Sequence, residues 1–424
     1  HDGIQLGESK FYSVDPDKSL LVISDGESFG FLGGNPLGNI VLDGSSLSVS
    51  GVNESFILAA NQISLENEAY IGSENGGDVG IIASDLSVVS GSGIETSSKD
   101  SDVVGDINIE SNSILLDKGG TLFAGTSYNA KQPRGPRGGN INILADEVLI
   151  KSGAVSTTSQ SLARAGNINI YSDKLVVGGI DYDEGEWEAY ISADTQFVGA
   201  LEQQQLIHSG VWAVDGGGDI KIDSEEMDIV NGGVISSITT GQGDAGSITL
   251  NVQKLNLIDQ AVVATYTEFR PKDDLSSHIK GGNGGDLIIN ADNILFDSVS
   301  LELGTWGTGD SGLSIINAQS MYMEYVDLYG DSYGLGYESY RPDLEAVYEL
   351  SPDTWLFATG KGPELTFNIN NISLSESSID LRSTGAGNGG LLNIISNNLT
   401  LDNSSNISSL SAMTGNAGRI NIET

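Results

Sequence analysis

Two apolar residues set two apart, with a residue between them that is usually polar, head a unit that recurs thirteen times in this chain. The pairs run from Ile40/Leu42 through Ile107/Ile109, Ile141/Ile143, Ile168/Ile170, Ile220/Ile222 and Leu313/Ile315 to Ile420/Ile422, and the commonest steps between them are 26, 27 and 28 residues. A fixed period in this range signals stacked units, each unable to bury its apolar face alone. A second alternating pair follows the first in nearly every unit, as in Leu47/Val49, Ile114/Leu116, Leu175/Val177 and Met227/Ile229. The unit that opens at Gly139 therefore reads as strand, corner, strand, corner, strand, with Ile141, Ile143, Val148, Ile150 and Val155 facing inward. No long stretch carries a helical period. The fold expected is an all-β parallel β-helix, a β-solenoid of about 13 turns with three short strands per turn. At about 4.8 Å per turn the stack is about 60 Å long.

Stacking removes the usual limit on core size, so 424 residues need not form several domains. Residues 1–37 lack the repeat and are expected to form an N-terminal cap or joining segment, with residues 38–424 forming the β-helix. The formal charge of −39, from 58 acidic and 19 basic residues, argues against nucleic acid and against docking on anionic lipid. It suits solubility, divalent cations or a cationic surface. No apolar run approaches the length of a membrane-spanning helix, so the chain is not expected to be an integral membrane protein. Cysteine is absent, so no disulfide clamps the fold. The sequence opens on His1 and ends one strand into a new unit, at Ile420-Asn421-Ile422. It is expected to be a piece of a longer protein, or else to stack end to end with other copies through that open strand.

Asn61, Asn112, Asp146, Asp173 and Asp292 precede the second strand and are expected to make tight left-handed corners. Glycines such as Gly105, Gly139 and Gly166 open the turns, where a sharp bend is expected. Gly281-Gly282-Asn283-Gly284-Gly285-Asp286-Leu287 matches a calcium-binding nonapeptide once. That motif works by tandem repetition, which is missing, so no cofactor is expected and Ca2+ is only weakly supported.

Long and short steps alternate through the middle of the chain, with long ones at 107→141, 168→220, 248→287 and 313→365. The extra residues are expected as loops near 125–138, 180–215, 266–284 and 324–362, all projecting from one edge. The 52-residue gaps at 168→220 and 313→365 also allow a hidden degenerate turn, because 52 is twice 26. Trp187, Tyr190, Trp212, Tyr325, Tyr329, Tyr333, Tyr337, Tyr340 and Trp355 fall in the two longest of these segments. Aromatic residues among acidic neighbours suit sugar stacking or protein contacts, and equally suit packing of a loop on the rod. Lys131 to Arg137 form a basic island.

Catalysis on a β-helix needs carboxylates clustered on an outer face. The position between the paired first-strand residues reads Gly80, Asn108, Asn142, Asn169, Lys221 and Thr249 across successive units, with no carboxylate. His1, His208 and His278 share no spacing that suggests a metal or a triad.

Gly139-Asn140-Ile141-Asn142-Ile143 with Ala145-Asp146, and Gly166-Asn167-Ile168-Asn169-Ile170 with Ser172-Asp173, resemble filamentous-haemagglutinin-like exoproteins of the two-partner secretion type, the cyanobacterial variety most of all. Phe29-Gly30-Phe31-Leu32-Gly33 is similar to the stretch that follows the secretion domain in that family. The resemblance implies a right-handed β-helix, passage through an outer-membrane secretion partner, and a role in adhesion or surface structure. The family's secretion motif is only echoed, at Asn35-Pro36-Leu37-Gly38. The expected function is a secreted structural or adhesive exoprotein, extracellular or on the cell surface, that contacts another copy or a cell-surface glycan or protein. The alternative is a polysaccharide-active β-helix lyase or hydrolase.

Overall fold

The structure, a computed structural model, describes residues 4–6, 9–11, 29–30, 38–98, 104–126, 135–160, 163–178, 189–195, 215–240, 243–268, 282–306, 309–333, 360–383, 387–411 and 415–424. Ile4–Leu6 and Ser9–Phe11 pair antiparallel; every other named strand pairs parallel, in two sheets of 16 and 13 strands. The described residues contain no helix. Successive turns lie side by side along both sheets, which is a parallel β-helix.

The first two strands of a unit form one long strand bent at its middle. In Ile107–Asp117 the burial alternates, with Ile107, Ile109, Ile114 and Leu116 inside. Ser111 pairs with Ala145 and Ser113 with Glu147, so Asn112 and Asp146 are skipped and the strand turns there. That skipped residue shifts the inward phase, so seven residues separate Ile107 from Ile114 and Ile141 from Val148. A third strand, such as Gly120–Ala124, closes the turn in the second sheet.

The left-handed residues sit at the other corner. Asn67, Ser90, Lys118, Asn231, Ser298, Tyr325 and Glu376 have φ between 47° and 56°, and all lie between the second and third strands. The Asn and Asp residues expected to be left-handed before the second strand are not; they are the unpaired residues of the bend. The glycines that open the turns likewise serve proximity rather than bending. A Cβ on Gly139 would collide with the carbonyl oxygen of Gly105, one on Gly166 with that of Gly139, and one on Gly218 with that of Gly166. Third-strand hydroxyls close the turn onto this column. Thr157 Oγ1 donates to Gly166 O at 2.6 Å and Ser237 Oγ to Gly218 O at 2.8 Å. These buried Ser and Thr residues satisfy carbonyls that the turn would otherwise orphan.

Two of the pairs read from sequence are in different places. Ile40 and Leu42 pair with Ile63 and Leu65, so they belong to a second strand; the first-strand place beside Phe56–Glu66 is taken by Phe29–Gly30. The ladder therefore begins before residue 38. Further along, Ser314 and Ile316 face inward in place of Leu313 and Ile315. Ser314 aligns with Leu287 and Leu365, and Leu313 is 37% exposed. The reason is the spacing just described: Met321 and Met323 are fixed inside, and seven residues back from Met321 is Ser314.

The rungs on either side of each 52-residue gap are direct neighbours. Ile168–Val177 pairs directly with Ile220–Val230, and Leu313–Glu324 directly with Glu364–Ser375. The segments expected as loops also contain rungs. Tyr190–Ser192 is the third strand of its turn, Val262–Glu268 runs into the expected 266–284 loop, and Asp327–Tyr333 occupies the start of the expected 324–362 loop. The extra residues of the 168→220 step thus fall on both sides of the third strand rather than only after it.

Candidate functional site

The outer surface of the first sheet is knitted by side chains. Asn142 Nδ2 donates to Asn108 Oδ1 at 2.9 Å and Asn169 Nδ2 to Asn142 Oδ1 at 2.8 Å. Two residues along, Asn251 donates to Asp223, Asn290 to Asn251, Asn317 to Asn290 and Asn368 to Asn317. A third ladder joins the turn openings: the backbone N–H of Asp106 donates to Asp78 Oδ1, that of Asn140 to Asp106, that of Asn167 to Asn140, and that of Asp219 to Asn167. In the glycine-rich run that matches the calcium motif, Asn283 and Asp286 belong to such ladders: Asn283 accepts from Asp310 N–H and Asp286 from Leu313 N–H. No group of three or more His, Asp or Glu among the described residues is placed to hold a metal ion.

Ion pairs on these faces join neighbouring groups. Lys254 Nζ donates to Glu226 Oε1 at 2.7 Å across one rung, which raises the lysine pKa and lowers that of the glutamate. Lys221 bonds Asp223 at 2.9 Å and lies 5.3 Å from the Tyr171 ring centre. These groups are exposed or partly exposed, where such pairs contribute little to stability.

The outward face of the third strands differs in kind. One column there runs Gly72, Glu95, Phe123, Ser156, Ser192, Ser236, Ala264, Glu302, Tyr329, Asp380 and Ser408, each aligned with the next. Carboxylates appear on this face that the first-strand series lacks. Asp194, also outward, is buried and accepts from Ser236 Oγ and from Ile238 N–H at 2.8 Å. Asp380 is held by Arg382 and by Ser408 Oγ at 2.8 Å. Glu302 is exposed and lies two rungs from Asp380, about 10 Å at the spacing of neighbouring strands.

Glu95 stands apart. Its carboxyl is half-buried, and among the described residues it has no hydrogen bond and no ion pair. Burial holds its carboxyl above the usual carboxylate range, with no cation to offset this. On one side its aligned partner is Gly72, across which Tyr70 lies so closely that a Cβ on Gly72 would strike the phenol. On the other side its partner is Phe123, whose ring in turn lies over Gly125. Its own carboxyl folds back over Gly93, 3.1 Å from where a Cβ would stand, next to the Thr121 hydroxyl. Burial, then Glu95 and Glu74, push the Tyr70 hydroxyl up to about 12, so it is a donor at any ordinary pH. The first-strand series, which carries no carboxylate, gives no sign of this place. The signal was present: Glu95 lies between Ile94 and Thr96, at an outward position of a third strand.

Of the nine aromatic residues expected to form a contact surface, four lie among the described residues. Tyr190 opens its strand, 36% exposed, and aligns with Ala154 and Val234. Tyr325 is an exposed corner residue with φ 52°. Its pKa is raised by neighbouring Glu376, then by desolvation. Tyr329 and Tyr333 belong to a third strand, Asp327–Tyr333, rather than to a loop. Trp187, Trp212, Tyr337, Tyr340 and Trp355 lie outside the described residues, as do residues 131–134 of the basic island. Ile420, Asn421 and Ile422 align with Leu392, Asn393 and Ile394, and Asn421 extends the side-chain ladder to Asn393 at 2.7 Å. Ile420 and Ile422 are 39% and 48% exposed, whereas the partners Leu392 and Ile394 are buried. A shallow depression lined by Glu376, Ser377, Ser378, Asn403 and Ser404 holds no convergent set of reactive groups.

Compared with protein-family models, with curated proteins and with solved structures, the chain matches none.

Proposed function

We propose that this chain is a structural or adhesive exoprotein, a secreted β-helical rod that presents a contact face at the cell surface or in an extracellular matrix. The observation that supports it most is the design of the outer faces. Asn, Asp, Ser and Thr side chains that could hold a ligand are instead consumed in bonds from rung to rung, as at Asn108, Asn142 and Asn169. Such a surface stiffens a rod and leaves contact to the few groups that remain unengaged. The acidic charge favours cationic partners over anionic ones. A test is adhesion of the purified protein to immobilised cells and glycans, with electron microscopy of the same sample. Adhesion by rod-shaped particles supports the reading; no retention on any surface overturns it.

One observation favours a second reading. A half-buried carboxyl with a raised pKa, as at Glu95, is what a general acid needs, so a polysaccharide-active enzyme is the alternative. Release of reducing ends or unsaturated sugars from a polysaccharide panel, abolished by Glu95→Gln, would favour it over adhesion.

A further inference from the structure

A half-buried carboxyl with an aromatic residue on each neighbouring rung is a recognition chemistry in itself. Glu95 has Tyr70 and Phe123 on the adjoining rungs, each ring lying over a glycine of the same face. Tyr70 and Phe123 belong to rungs two apart, about 10 Å, with the Glu95 rung between them; the carboxyl leans toward Gly93, at the Tyr70 end, and the Phe123 ring toward Gly125. The Tyr70 phenol feels both Glu95 and Glu74, and no basic group among the described residues offsets Glu95. Aromatic faces attract cations, and more so where water is partly excluded. A carboxylate in the same place completes a charge-assisted bond to an ammonium. An aromatic ring also suits the apolar face of a pyranose. A lysine side chain would use the charge but not that flat surface.

We propose that Tyr70, Glu95 and Phe123 form a binding site for a cationic amino sugar, a non-acetylated glucosamine-type glycan whose ammonium meets Glu95 while its ring stacks on Tyr70 or Phe123. The site rests on the adhesive reading and names its ligand class. The Thr121 hydroxyl, beside the Glu95 carboxyl, is placed to bond a sugar hydroxyl. Glu95 must be ionised to hold the ammonium, and its pKa is raised, so binding fades as pH falls, starting above the usual carboxylate range.

The test is calorimetric titration of the protein with a glucosamine tetramer, an N-acetylglucosamine tetramer and tetralysine, at neutral pH and moderate salt. The glucosamine tetramer should bind tightest. Glu95→Gln should weaken it by about tenfold or more, and Phe123→Leu by about two- to fivefold. Glu110→Gln removes the same charge from an exposed first-sheet position and should change little. The proposal is overturned if Glu95→Gln and Glu110→Gln behave alike, which would mark unspecific attraction to an acidic rod. It is also overturned if the acetylated tetramer or tetralysine binds as tightly. Should the wild-type protein adhere to cells while Glu95→Gln leaves the titration unmoved, this site fails and adhesion stands. Should the tetramer bind through Glu95 but the protein adhere to nothing, adhesion fails and the site stands.

Discussion

Single residues here carry constraints of two opposite kinds, closeness and exposure to an unmet need. Gly166 is an example of the first. Its Cα passes so near the Gly139 carbonyl that no side chain fits, and the neighbour is backbone held by ladders on both sides. Gly166→Ala should cost about 1–3 kcal/mol or more, read as a lower urea midpoint with an unchanged slope. Wild-type stability would show that the two backbones part easily. Glu95 is an example of the second. Its folded pKa is raised, so the protonated form is favoured in the native state. The stability tied to that preference is present below the ordinary value of 4.5 and is lost as pH rises through the folded pKa. Glu95→Gln cannot ionise and escapes the loss. It should therefore gain thermal midpoint over wild type at neutral pH, and the gain should shrink toward pH 4. A difference independent of pH would contradict the assignment.

At the level of strands, most of the architecture could be read from period-two alternation, because a buried stripe opposite a solvated one permits a single phase. The parallel rungs and the third strands follow from it. Where alternation was lost, the reading slipped. Leu313-Ser314-Ile315-Ile316 is apolar at three of four places, so either phase fits locally, and the choice is made by Met321 seven residues on. Ile40/Leu42 followed by Leu47/Val49 has the same seven-residue step as a first and second strand, yet they are a second and a third. The glycine column and the Asx ladders were visible as composition, but their purpose depends on which rung lies above which, and only the pairing supplies that. The Glu95 site was hidden for a different reason: its three side chains are scattered over more than fifty residues and meet only by stacking. The slip at Ser314 has an energetic counterpart. Its hydroxyl is buried without a hydrogen bond in a column of leucines. Ser314→Ala should raise stability by about 1 kcal/mol, measured by urea unfolding, because it removes an unsatisfied polar group. A destabilised variant would reveal a partner for that hydroxyl.

Across the whole molecule, the rod depends on pairing between neighbours and not on what is inserted between them. Tyr333 aligns with Trp306, and the rungs on both sides of residues 334–359 pair directly, while the preceding turn makes the same junction with Gly307-Thr308 alone. Replacing residues 334–359 by Gly-Thr should leave the thermal midpoint unchanged or higher, since a shorter loop is easier to close. A fall of more than a few degrees would mean that the segment supports the rod. The sameness of the rungs has its own consequence. Each turn offers its neighbour nearly identical hydrogen-bonding groups, so a folding chain could dock a turn onto the wrong predecessor at little loss. What labels each turn is its departures from the pattern: unequal insertions, the serine at 314, the glutamate at 95. These irregularities act as serial numbers, and a version of this chain made from one perfect repeat would be expected to stack more readily and to lose track of its own order.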